Sequence, residues 1–108
     1  MIVVNSNKEL KELIRQRIEE QGPNCDLNDI DVSRVKDMYE MFAESDFNGD
    51  ISQWNTSNVG DMSFMFSGSK FSGDISTWDV SRVAYMRYMF YESPLYGNEP
   101  DWYKTRLK

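Results

Sequence analysis

Asp50 and Asp74 follow Gly49 and Gly73 in Asn-Gly-Asp and Ser-Gly-Asp segments 24 residues apart, the arrangement from which a calcium site built on stacked turns would start. Calcium takes six to eight oxygen ligands, and one carboxylate per turn falls well short of that, so no metal is expected. The chain has no His and a single Cys, Cys25. A Cys/His zinc site and an intrachain disulfide are therefore excluded. There is no serine-hydrolase elbow and no phosphate loop, and the carboxylates read as turn and surface residues. No catalytic residue and no cofactor are expected, and the chain is not expected to be an enzyme. What remains is the chemistry of recognition, carried by rows of aromatic rings and carboxylates.

Those rows come from a period of 24 residues. Val35, Met38, Met41 and Phe42 stand over Val59, Met62, Met65 and Phe66, and again over Val83, Met86, Met89 and Phe90. Phe47-Asn48-Gly49-Asp50-Ile51-Ser52-Gln53-Trp54 matches Phe71 to Trp78 and decays toward Leu95 to Trp102. Repeats are thus assigned to 31–54, 55–78 and 79–102, preceded by an N-terminal cap over 1–30 and followed by a tail over 103–108, all in one domain.

Each part has its own signals. Ser6 and Glu9 make a capping box ahead of Leu10, Leu13, Ile14 and Ile18 at helical spacing, and Gly22-Pro23 ends that helix. In each repeat the spacing i, i+3, i+6, i+7 of Val35, Met38, Met41 and Phe42 predicts a short helix, with Ser33, Ser57 and Ser81 near its start to take a free amide. Trp54 with Thr56, and Trp78 with Val80, alternate with polar residues, predicting a three-residue strand. Gly49 and Gly73 are expected to supply an unusual backbone angle at the turn. The fold class is therefore α/β, a short curved solenoid with parallel strands on one face and short helices on the other.

Two binding faces follow. Side chains alternating with the strand core give Asp29, Asp31, Gln53, Asn55, Thr77, Asp79 and Asp101, an acidic and amide-rich surface. The outer face of the helices gives Tyr39, Phe64, Tyr85, Tyr88 and Tyr91, where a merely solvated helix would carry Lys and Glu. Aromatic residues on a surface point to a protein contact. Trp54, Trp78 and Trp102 are assigned to the core.

The segments Phe-Asn-Gly-Asp-Ile-Ser-Gln-Trp-Asn-Thr-Ser-Asn-Val at 47–59 and Asp-Met-Ser-Phe-Met-Phe at 61–66 resemble the BspA-like leucine-rich-repeat surface proteins of bacteria, over roughly residues 24 to 102. The resemblance implies a leucine-rich-repeat fold and a role in binding other proteins.

The bulk numbers narrow the partner. Twelve basic and eighteen acidic residues give a net charge of −6, which repels a polyanion, so direct nucleic-acid binding is not expected. Residues 1–46 hold six basic and eleven acidic side chains, so most of that charge sits there. No apolar window approaches a membrane span or a signal-peptide core, and a cytoplasmic location is expected. The functional expectation is a non-catalytic protein–protein interaction module of leucine-rich-repeat type, with another protein as partner or a second copy in a homodimer. The alternative is a small acidic inhibitor from a phage or mobile element that blocks a nucleic-acid site on a host defence protein.

Overall fold

The first ordered helix is the one whose signals are strongest. In the computed structural model, which describes residues 1–106, α1 runs over Asn7–Gln21. Ser6 Oγ accepts the Glu9 amide at 3.1 Å, while the Glu9 carboxylate accepts the amide of Asn5 rather than that of Ser6. Two otherwise free donors of the entry turn are satisfied in this way. Gly22 closes the helix at φ 89°, its amide bound to the Ile18 carbonyl. Leu10 and Ile14 are buried, and Leu13 and Ile18 pack against the same core. Arg17 leaves α1 to hold Asp29 through two bonds of 2.8 and 3.0 Å.

Three further elements form among the described residues. β1 (Ile2–Val3) pairs in parallel with β2 (Ile30–Asp31), Ile2 against Ile30 and Val3 against Asp31. α2 covers Asp101–Arg106 and buries Tyr103. Of the tail assigned to 103–108, residues 107 and 108 lie outside the described residues.

The leucine-rich-repeat solenoid is not what forms. Among the described residues there are two strands of two residues, one two-stranded parallel sheet and two helices. No strand forms at Trp54–Thr56 or Trp78–Val80, and none of the three expected repeat helices forms. The reason lies in where the amides go. A helix needs each N–H to reach the carbonyl four residues back. Here Met38, Glu40, Phe42 and Glu44 instead donate 23 residues ahead, to Asp61, Ser63, Met65 and Ser67. Met62, Phe64, Phe66 and Gly68 do the same toward Tyr85, Arg87, Met89 and Tyr91. The intervening amides of Met41, Ala43 and Ser45 close tight turns onto Met38, Glu40 and Phe42. Glu40 and Glu44 take φ values of 56° and 57°, as the third residue of such a turn can require.

The apolar positions that suggested helices are buried nonetheless, because consecutive turns also return side chains to one side. Phe42, Phe66 and Phe90 stack with ring planes within 2° of parallel at 5.5 and 5.7 Å. Trp54 and Trp78 stack at 6.3 Å. Each indole N–H is satisfied inside: Trp54 donates to the Leu27 carbonyl, Trp78 to Ile51 and Trp102 to Ile75, at 2.9 to 3.1 Å.

Gly49 and Gly73 are needed for room, not for an unusual backbone angle. A Cβ on Gly49 would collide with the Cys25 carbonyl and lie 2.8 Å from the Phe47 ring, and one on Gly73 would lie 2.7 Å from Phe71. Neither glycine has a positive φ.

Candidate functional site

The residues expected on a strand face serve mainly as turn builders. Asp31 Oδ1 accepts the Ser33 amide at 2.9 Å, Asn55 Oδ1 accepts that of Ser57 at 3.1 Å, and Asp79 Oδ1 that of Ser81 at 3.0 Å. Ser33, Ser57 and Ser81 are thus donors to the preceding Asx side chain, not helix caps. Asp50 and Asp74 hold Ser52 and Ser76 in the same way. The hydroxyls of Ser33, Ser76 and Ser81, and after them these amides, hold the carboxyls of Asp31, Asp74 and Asp79 below the ordinary range, and at Asp50 a bond from Asn28 is the largest cause.

Asp29 is lowered first by its bond with Arg17. Gln53, Asn55, Thr77 and Asp79 are exposed but lie on no strand, and Asp101 opens α2. Of these residues only Asp31 lies on a strand, β2. Among the described residues no group of three or more His, Cys, Asp or Glu could hold a metal ion.

The aromatic residues, in contrast, meet. None lies on a helix, yet Tyr39 packs edge-on against Phe64 at 5.9 Å, Phe64 lies 5.4 Å from Tyr88, and Tyr88 meets Tyr91 edge-on at 5.7 Å. Aromatic rings at these separations attract one another beyond the area they bury. The forward ladder sets the spacing: the Phe64 amide is bound to Arg87, so the turn carrying Phe64 lies directly against the turn carrying Tyr88. Phe64 and Tyr88 both sit at positive φ, 57° and 54°. Bulky side chains adopt that region rarely, and strain kept at a surface ring is a pointer to use.

Tyr39, Tyr88 and Tyr91 are 41%, 54% and 48% exposed. Tyr85 is the most open of the predicted five, and with Tyr39, Phe64 and Arg87 it lines a shallow groove of about 470 Å³. A second groove of about 620 Å³ continues the row at its far end, between Tyr88 and Tyr91 on one side and Tyr96, Glu99 and Tyr103 on the other. Tyr96 and Glu99 were missed by sequence reasoning. The third repeat decays there, so no periodic partner marked them, and only the density of Tyr around 85–103 could have.

With this geometry in view, the comparison with known families is informative. The family described as Mycoplasma protein of unknown function, DUF285, matches residues 8–106, and the chain belongs to it. The match runs from the first turn of α1 to the last residue of α2. No curated protein and no solved structure matches the chain. No helix among the described residues is long and apolar enough to cross a membrane.

Proposed function

We propose that this chain is a non-catalytic protein-binding module whose partner rests on the aromatic row. The observation that carries the reading is the unbroken ring-to-ring run from Tyr39 through Phe64 and Tyr88 to Tyr91, left open to water on a chain that has already buried its Phe and Trp columns. Contiguous exposed rings are characteristic of contact surfaces, where Tyr and Phe are enriched. Kinship with the BspA-like surface proteins, on the segments 47–59 and 61–66, would fit the same role and is part of the proposal. A cytoplasmic location remains part of the proposal, with which the lone, buried Cys25 is consistent.

The acidic-inhibitor reading draws less support. A mimic of nucleic acid needs a continuous band of free carboxylates, whereas Asp31 and Asp79 are separated by the amide of Asn55, and each holds its own turn.

The test is titration calorimetry against the protein that the chain retains from a host lysate. Tyr88→Ala should weaken that complex about thirtyfold, as loss of a central ring does at a contact of this kind. Its melting temperature should barely change, because Ala tolerates the positive φ no worse than Tyr. Full affinity with a lowered melting temperature would make the row an outer wall of the core and nothing more.

A further inference from the structure

Asn48 and Gly49 form the one asparagine–glycine pair in the chain; every other asparagine precedes Ser, Lys, Cys, Asp, Thr, Val or Glu. The pair carries a chemistry of its own. Covalent connection places the nitrogen of the residue after an asparagine where it can close a five-membered ring on the side-chain carbonyl carbon, and glycine, with no Cβ, leaves the approach clear.

Three features of the turn favour that closure. The Gly49 N–H finds no acceptor among the described residues, so its nitrogen has no hydrogen bond to give up. Asn48 Oδ1 accepts the amide and the hydroxyl of Ser72, at 2.8 and 3.2 Å. Donors held on a carbonyl oxygen draw charge from its carbon and are already in place for the oxyanion that forms when a nucleophile adds. Asn48 is exposed, so the leaving nitrogen passes directly to water. The next turn shares the glycine but not the electrophile, because Ser72 precedes Gly73.

We propose that Asn48-Gly49 is a site of spontaneous backbone modification in the folded protein. The Gly49 nitrogen bonds to Asn48 Cγ, the bond from Cγ to Nδ2 breaks, and the Gly49 proton leaves with Nδ2 as ammonia, which gives a cyclic imide. Water then opens the ring. Addition at Cγ gives aspartate with an ordinary backbone, whereas addition at the main-chain carbonyl carbon gives isoaspartate, whose backbone runs through the former side chain and is one methylene longer. Nothing is oxidised or reduced, and water is the one co-reactant.

The two products differ in what the turn can hold. Aspartate keeps an oxygen for the Ser72 donors. Isoaspartate does not fit: Gly49 is seated so closely that a Cβ on it would collide with the Cys25 carbonyl, and the Asn48 amide is tied to the Pro23 carbonyl at 2.7 Å. An extra backbone atom between two such fixed points must break the tie to Pro23 or push Gly49 away from Cys25. The isoaspartyl form therefore has the turn at 47–50 opened from the segment 23–25.

The experiment incubates the full chain at neutral and at mildly alkaline pH, with a urea-unfolded sample alongside. Peptide mapping with electron-transfer fragmentation distinguishes isoaspartate from aspartate. In the folded chain Asn48 should convert at least tenfold faster than any other asparagine, and faster at the higher pH, because the Gly49 nitrogen attacks as its anion. Ser72→Ala removes one donor from Oδ1 and should slow the folded chain at least twofold while leaving the unfolded chain unchanged. The isolated isoaspartyl form should melt below the parent, whereas fresh Asn48→Asp, which adds the same charge, should melt close to it.

An Asn48 that stays intact in the folded chain while the unfolded chain converts overturns the proposal, since the turn then holds the nitrogen away from Cγ. Conversion no faster than at the other asparagines overturns it as well. Faster conversion of Ser72→Ala would show that Ser72 restrains the carboxamide instead of activating it. An isoaspartyl form that melts with Asn48→Asp would overturn the opening of the turn.

Discussion

Glu40, Glu44, Phe64, Tyr88 and Glu92 all lie at φ between 54° and 57°, and Gly68, at 68°, is the one position of this set that carries the residue best suited to it. The left-handed region costs an L-residue roughly 1–2 kcal/mol. Glu40 makes no hydrogen bond through its side chain among the described residues, so Glu40→Gly should remove that cost. Glycine's greater freedom in the unfolded chain takes back roughly 0.4–1 kcal/mol. The net expectation is a gain of up to about 1.6 kcal/mol in denaturant unfolding, against none for Glu40→Ala. A loss on Glu40→Gly would mean that the carboxylate does something at that turn that its geometry does not reveal.

Gly49 is the converse case. Its backbone is ordinary, but the Cys25 carbonyl occupies the space a Cβ needs. Gly49→Ala should lower stability by about 1–3 kcal/mol or more, as overpacking does. Melting within a degree or so of the parent would show that the turn at 47–50 shifts freely.

The turns are the elements of this molecule, and several of them are set by an Asx side chain holding the amide two residues on. Because Asp31, Asp50, Asp74 and Asp79 have folded-state values below that of an unfolded aspartate, about 3.9, the unfolded chain binds protons first as the pH falls. Their contribution is present above that value and is lost on descending through the folded ones. The melting temperature should therefore fall as the pH drops below about 4. Replacing all four by Asn should reduce that dependence while keeping the turns, since Asn55 already holds Ser57 as an amide. An unaltered acid limb would place the pH dependence elsewhere.

These turns also decide what sequence reasoning could reach. α1 was legible because Leu10, Leu13, Ile14 and Ile18 sit between two unambiguous terminators. The stretch 35–42 was not. Its i, i+3 burial is common to a helix and to consecutive turns, and only the destination of alternate amides separates them. The Asp-x-Ser spacing at 31–33, 50–52, 74–76 and 79–81 was the local signal that favoured turns. The aromatic residues were found because exposed rings need no correct secondary structure to be conspicuous, but their order in space depends on the ladder that was missed.

Seen as a whole, the molecule is a column of stacked rings closed at both ends, 40 Å in its longest dimension. At the first end α1 lays Leu10 and Ile14 over the core, and Asn7 takes the carbonyls of Asp37 and Tyr39. At the second, α2 covers Phe90: the ring of Tyr103 stands edge-on to it at 4.9 Å and that of Trp102 lies 6.4 Å away. Arg106 fastens α2 by donating to the carbonyls of Val80 and Val83. The two closures differ in kind, since the first also satisfies backbone groups, whereas the second covers rings and leaves the amides of Met86, Tyr88 and Glu92 in the last turn of the ladder without a hydrogen bond among the described residues.

It follows that loss of the second closure should do more than destabilise. Substituting Trp102→Ala together with Tyr103→Ala uncovers Phe90, which is 1% exposed in the intact chain, beside a row of free donors. An apolar patch next to an open edge invites association. The double variant should sediment as a dimer or larger species in a concentration-dependent way, while the parent remains a monomer over the same range. Core truncations of this size also cost about 3–5 kcal/mol each where the ring is fully buried, and Trp102 is only half-buried. Denaturant unfolding of the same samples therefore separates the two effects. A variant that is less stable yet strictly monomeric would show that α2 serves only to bury Phe90.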